Sequence, residues 1–178
     1  MVLIGCTPAT RHTEQHDVFF GISETIKELV PTIRQFWPDG GKLHLDAYRE
    51  VNQVNGYHVS VVPKINSNES SYRLFFLNLG GYKPNEFEEF HYKMIVVAPN
   101  KGEAVKQAKE TAFYKHTGFG DANSHIDDKY GVDVDDVYEI TDILPPHEKA
   151  EWNILVEPGN ATTEEDELYL GYFKLDLL

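Results

Sequence analysis

Four short pairs hold the residues of this chain that could do chemistry: Glu14-x-His16, His44-x-Asp46, Glu89-x-His91 and His125-x-Asp127. In an extended segment, residues two apart leave on the same face, so each pair presents an imidazole beside a carboxylate. Two imidazoles and a carboxylate can make a facial metal triad with open coordination positions. A histidine held against a carboxylate can instead move protons, provided neighbouring charge tunes it. The third role is structural, with the ring donating to a loop carbonyl and the carboxylate satisfying orphan amides at a turn. Residue types alone favour the structural role in at least one half of the chain. A small-molecule or anion site and a metal site stand behind it at the same eight residues: Glu14, His16, His44, Asp46, Glu89, His91, His125 and Asp127.

The elements that must position these pairs also recur. Gly5, Glu14, His16 and Glu28 match Gly80, Glu89, His91 and Glu103 at a constant separation of 75 residues (80 − 5). His44-Leu-Asp46 and His125-Ile-Asp127 stand 81 apart (125 − 44), which places a six-residue insertion (81 − 75) between Lys115 and Ser124. Tyr57 and Tyr138 each lie eleven residues beyond their aspartate (57 − 46, 138 − 127) and open an apolar run.

In the first half, Val2–Ile4 and Val18–Ile22 read as strands. Thr25-x-x-Glu28 is a capping box ahead of Ile26, Leu29, Val30, Ile33 and Phe36, which recur at helical spacing. Pro31 lies inside that pattern, so a kink or a helix start is expected there. Leu43 to Tyr48 alternates as a half-buried strand, with His44, Asp46 and Tyr48 on one face. After the turn dipeptide Asn55-Gly56, Tyr57–Val62 is a last strand. The order is β-β-α-β-β. It restarts after the polar stretch from Pro63 to Ser71: strands over Leu74–Leu79 and Lys93–Ala98, a capping box at Asn100-x-x-Glu103, and a helix with Ala104, Val105, Ala108 and Ala112 on its buried side. Val137–Ile143 closes it as a strand. Beyond Pro145-Pro146, Trp152–Val156 and Leu168–Leu175 add two more strands around an acidic turn from Thr162 to Glu167. The predicted fold is α+β: two tandem ββαββ-like repeats with antiparallel sheets, packed as a pseudo-two-fold dimer, plus C-terminal strands. The expected boundaries are 1–63 and 72–145 for the repeats and 146–178 for the extension.

Composition narrows the function. Among 178 residues, 16 Lys+Arg face 29 Asp+Glu, for a net charge of −13. Such a surface repels phosphate backbones and anionic membranes, so neither nucleic acid nor a membrane surface is an expected partner. One cysteine, Cys6, rules out an intrachain disulfide and a cysteine-rich zinc site. It follows an apolar strand with no histidine nearby, which does not suit a nucleophile. No signal-peptide pattern and no apolar run of about 18 residues is present, so a cytoplasmic protein is expected. Asn68-Glu-Ser and Asn160-Ala-Thr match glycosylation acceptors but carry no weight without a secretory signal. Gly80-Gly81 and Gly118-Phe-Gly120 do not sit between a strand and a helix, so they read as turn glycines rather than phosphate loops. The acidic run from Asp127-Asp128 to Asp133-Val-Asp-Asp136 lacks the alternation of a calcium loop and reads as a solvated edge.

The strings Glu14-Gln-His-Asp-Val-Phe-Phe-Gly-Ile22, Leu43-His-Leu-Asp46, Glu86-Phe-Glu-Glu-Phe-His91 and Ser124-His-Ile-Asp-Asp-Lys-Tyr-Gly131 resemble a bacterial family described only as a domain of unknown function, DUF1543. The resemblance spans nearly the whole chain. It implies a bacterial, cytoplasmic protein carrying the domain in tandem, and it brings no activity, cofactor or catalytic residue. The leading expectation is a non-catalytic module, possible as a homodimer, that binds a small molecule or a protein. An enzyme using the Glu-x-His and His-x-Asp pairs comes second, and a scaffold third.

Overall fold

Alternation along the first strand sets the layering. In β1 (Val2–Cys6), Val2 and Ile4 join a buried cluster with Leu29 and Ile33, while Leu3 packs into another with Val18 and Phe20. Successive side chains of a strand leave on opposite faces, so the sheet built on β1 is covered on both. The structure is a computed structural model that describes residues 1–66, 70–82, 85–117, 133–159 and 166–178.

β1 lies between β2 (Gln15–Phe19) and β3 (His44–Tyr48) and is antiparallel to both; β10 (Tyr169–Lys174) extends this sheet beyond β3. A second sheet runs β7-β6-β8, with β6 (Arg73–Tyr82) between β7 (Glu89–Ala98) and β8 (Asp133–Glu139). In both sheets the earliest strand is central and the next pairs on one side. The chain then runs through a helix, α1 (Val30–Phe36) or α2 (Lys101–Thr117), before it reaches the strand on the other side. A third sheet orders β4 (Gln53–Val54), β5 (Tyr57–Pro63) and β9 (Trp152–Pro158) as β4-β5-β9.

The central core draws on all three sheets. It joins Val18 and Phe20, Leu74, Phe76, Ile95 and Val97, and Val59 and Val156. Phe20 meets Phe76 edge-on with ring centroids 5.4 Å apart, a geometry aromatic pairs favour. Helices cover the outer faces. Ile33 packs over Val2, Ile4 and Leu45, and Ala104 and Ala108 over Leu77, Leu79 and Val96. Small residues at those two positions let α2 lie close to its sheet.

Local chemistry accounts for the element ends. A 3₁₀ turn over Ile26–Leu29 leads into α1, and Pro31 falls in the first turn of α1, where its missing N–H is not needed. Glu28 Oε2 accepts from the backbone N–H of Glu24 at 3.1 Å and of Thr25 at 3.3 Å. Asn100 caps α2, its Oδ1 accepting from Glu103 N at 3.0 Å. Asn55 and Gly56 link β4 to β5 as a two-residue hairpin with φ of 52° and 79°, the positive pair that Asn-Gly favours.

The α+β class and the antiparallel pairing are as the sequence implied, but several details differ, and Gly80 and Gly81, read as turn glycines, lie inside β6 paired with His91 and Phe90. β5 leaves the sheet of β1–β3 and pairs along its length with β9, because its buried residues face the central core. The run Val137–Ile143 is a strand only to Glu139; Ile140–Ile143 turns into the short helix α3, putting Ile140 into the core at 2% exposure. Register also overrides residue matching. His44 pairs with Gly5 and Asp133 with Gly80, a separation of 89 (133 − 44) and not 81. Tyr138 pairs with Phe76 in β8, whereas Tyr57 lies in β5. His125, Asp127, Asp128, the glycines at 118 and 120, and both glycosylation asparagines at 68 and 160 lie outside the described residues, as does the acidic turn up to residue 165. Among the described residues no helix is long and apolar enough to cross a membrane.

Candidate functional site

A row of three residues crosses the first sheet: His16 of β2 and His44 of β3 both pair with Gly5 of β1. Paired residues share a face, here the one turned to the central core. Gly5 matters because it ends in hydrogen. A Cβ there would collide with Asp46 Oδ2 and His44 Nε2. Two carboxylates occupy the gap, Asp46 from β3 and Glu14 from just before β2. His16 Nε2 lies 3.6 Å from Glu14 Oε2 and 3.2 Å from Asp46 Oδ2. His44 Nε2 lies 3.0 Å from Glu14 Oε1 and 3.2 Å from Asp46 Oδ1. Imidazole and carboxylate therefore alternate around a closed ring of four groups.

A β-bulge brings Asp46 into that ring. Ile4 pairs with Leu45 and Leu3 with Ala47, leaving Asp46 as the extra residue. Asp46 thus stays beside His44, while the alternation expected to continue to Tyr48 breaks. Tyr48 packs on the outer side with Leu45.

His44 is 4% exposed, yet neither ring nitrogen makes a hydrogen bond among the described residues, and neither does Asp46 Oδ2. Carboxylate oxygens of Glu14 and Asp46 nonetheless stand 3.0 and 3.2 Å from Nε2, so that nitrogen is paired by charge without a hydrogen bond. Leaving such a buried polar group unsatisfied costs about 1–3 kcal/mol. A cation held in the ring would remove that cost. Nitrogen and oxygen ligands lie about 2.0–2.2 Å from an ion such as zinc, so neighbouring donors in a tetrahedral or octahedral shell stand about 2.8–3.6 Å apart. The four neighbouring separations around the ring, 3.0 to 3.6 Å, fall in that range.

The surroundings are asymmetric. Tyr172 of β10 stacks on the His44 ring, centroids 4.2 Å apart and planes at 28°. Gly171, at φ 151°, and a register irregularity between Leu170 and Phe173 set it there. The Glu14 and His16 side chains are 42% and 38% exposed, so the ring opens to solvent on their side. Burial, then the carboxylates of Asp39 and Glu14, push the Cys6 thiol above its ordinary range. It stays protonated at neutral pH and fits no nucleophile.

In the second sheet, Glu89 and His91 meet Asp135, with ligand atoms all within 4.8 Å of one another. His91 Nε2 lies 3.4 Å from Asp135 Oδ2. His91 pairs with Gly80, a Cβ on Gly80 would collide with Asp135 Oδ2, and Asp135 is the bulged residue between Val134 and Asp136. The acidic run read as a solvated edge therefore supplies one member of a cluster. Its neighbour Asp136 is half-buried and accepts from Asn78 Nδ2 at 3.3 Å. Sequence reasoning missed Asp135, Tyr172 and the spacing role of Gly5 and Gly80. The last had a signal, since glycine inside an apolar strand marks a close approach. A cavity of about 460 Å³ opens at the other end of β1, with Met1, Phe20, Ile22, Arg49, Val59 and Ile140 among its walls, and none of the six predicted residues that are described, Glu14, His16, His44, Asp46, Glu89 and His91, lines it.

No curated protein matches the chain. Among solved structures it is similar to a protein Il1583 from Idiomarina loihiensis, at 22% identity and a TM-score of 0.60 over 98% of this chain and 94% of that one. At that identity the likeness is one of fold. Residues 11–61, the stretch that holds Glu14, His16, His44 and Asp46, match the family model described as Domain of Unknown Function (DUF1543), and it is this family that the chain resembles.

Proposed function

We propose that the protein binds a divalent transition-metal ion through Glu14, His16, His44 and Asp46, and works through that ion. One observation carries the reading: His44 is buried with no hydrogen bond on either nitrogen, and its Nε2 stands 3.0 and 3.2 Å from two carboxylates that also reach His16. Two imidazoles with two carboxylates suit manganese, iron, cobalt or zinc better than the all-oxygen preference of calcium or magnesium. The ion is not needed to hold the fold. Its ligands stand on or beside β2 and β3, each already joined to β1 by a backbone ladder and packed over their own apolar cluster. Four protein donors leave room in a six-coordinate shell for water or a substrate oxygen, on the side where Glu14 and His16 meet solvent. A metal-dependent binding or hydrolytic centre fits this arrangement better than a scaffold does.

The test is a melting curve on chelator-stripped protein with manganese, iron, cobalt and zinc added singly, and with magnesium and calcium for contrast. An ion at about 100 times its dissociation constant adds roughly 2.7 kcal/mol. For a chain of 178 residues that raises the melting temperature by about 5–11 °C. His16→Ala, at a side chain already 38% exposed, leaves the metal-free melt nearly unchanged and removes the response. Wild-type protein indifferent to all four transition metals would overturn the proposal. The 460 Å³ cavity supports a second reading, a site for a small molecule with an apolar body. Stabilisation by such compounds that persists in His16→Ala would favour it.

A further inference from the structure

We infer that the second sheet carries a second ion site, built on Glu89, His91 and Asp135, and that it takes a harder ion than the first. The inference rests on the reading of the first ring as a metal centre. Its own support is positional. Glu89 and His91 follow Glu14 and His16 at the same separation of 75 (89 − 14, 91 − 16) as Gly80 follows Gly5. His91 pairs with Gly80 as His16 pairs with Gly5. Asp135 and Asp46 are both bulged residues of the strand on the other side of that glycine, and each carboxylate reaches the place a Cβ would take. A spacer, a histidine, a glutamate and a bulged aspartate thus recur in one arrangement on two sheets of one strand order, and chance does not readily repeat a bulge at the matching rung.

The difference lies at one register position. The residue paired with the spacer from the third strand is His44 in the first sheet and Asp133 in the second. The second group, Glu89, His91 and Asp135, offers one imidazole nitrogen beside two carboxylates. Fewer nitrogens and more oxygens shift preference from zinc toward manganese and magnesium. Exposure points the same way. Glu89, His91 and Asp135 are all exposed, whereas His44 is buried under Tyr172, so the second site holds its ion more loosely and exchanges it faster.

Titration calorimetry of the whole, chelator-stripped chain tests this, with manganese and zinc as separate titrants. The expected result is two manganese ions per chain, and zinc filling the first site at least tenfold more tightly than the second. Asp135→Asn removes only the second manganese; the side chain is 34% exposed and the change isosteric, so the fold is kept. His16→Ala removes only the first. One ion per chain, lost in His16→Ala and untouched by Asp135→Asn, would overturn the second site and leave the first standing. No ion at all would overturn both. Two sites with the same zinc-to-manganese ratio would refute the difference in hardness.

Discussion

Gly5→Ala adds one methyl group and removes no ligand, so it separates the shape of the first ring from its composition. The new Cβ would lie 2.5 Å from His44 Nε2, whereas ordinary contact begins near 3.4 Å. His44 must move by about 0.9 Å or β1 must shift, and Asp46 Oδ2 stands equally in the way. Overpacking of that kind costs about 1–3 kcal/mol. For 178 residues this lowers the metal-free melting temperature by about 2–12 °C. The effect on the ion is larger in proportion. Ligand distances tolerate only about 0.2 Å, so a displacement several times that size takes His44 and Asp46 out of the shell. Melting curves with chelator and with excess manganese or zinc read both effects on one sample. The expectation is a moderately destabilised, folded protein with no ion-induced shift. Gly5→Ala that keeps the full ion response would show that the donors do not converge where the ring places them.

Two further predictions lie outside the ligand set. Glu148 is 4% exposed on the short helix α4 (Pro146–Glu151), and its Oε2 accepts from Ile22 N at 2.8 Å. Burial raises its carboxyl above the ordinary 4.5, with the Ile22 N–H and His147 opposing. The folded state then holds the proton more tightly than the unfolded, so stability is highest below the unfolded value and falls as pH rises through the folded one. Glu148→Gln keeps an acceptor for Ile22 and flattens that fall, read by melts between pH 4 and 8, where an unchanged slope would refute the assignment. Tyr172→Ala removes a stack on His44 worth about 0.5–1.5 kcal/mol. It leaves the ion bound, because Tyr172 stacks on the His44 imidazole and is not itself one of the four donors; loss of the ion response would make Tyr172 a positioning residue instead.

Local signals in the sequence read well and distant ones did not. Asn55-Gly56, Asn100 with Glu103, and the start of α1 at Pro31 depend on groups a few residues apart, so residue type determines them. The Glu-x-His pairs were legible for the same reason, since period two in a strand is local. Which strand β5 would choose was not. Its partner β9 lies about 95 residues on (152 − 57), and any half-buried apolar strand offers a similar ladder. Tyr172 was hidden likewise, because its place over His44 depends on β10 returning to the edge of a sheet begun at residue 2.

The second histidine–aspartate pair shows where matching by residue type parts from matching by position. His125-Ile-Asp127 repeats the letters of His44-Leu-Asp46, but the strand that occupies the corresponding rungs is Asp133-Val-Asp135. A bulge is written in hydrogen-bond register and leaves no fixed residue type behind, so letters alone could not locate it. Glycine could. Gly5 and Gly80 each stand between strands that must send side chains over them, and each would block a carboxylate with its first carbon. A spacer is needed whatever donors surround it. The constant separation of the glycines with their Glu-x-His partners therefore identified both clusters more faithfully than the His-x-Asp motif did.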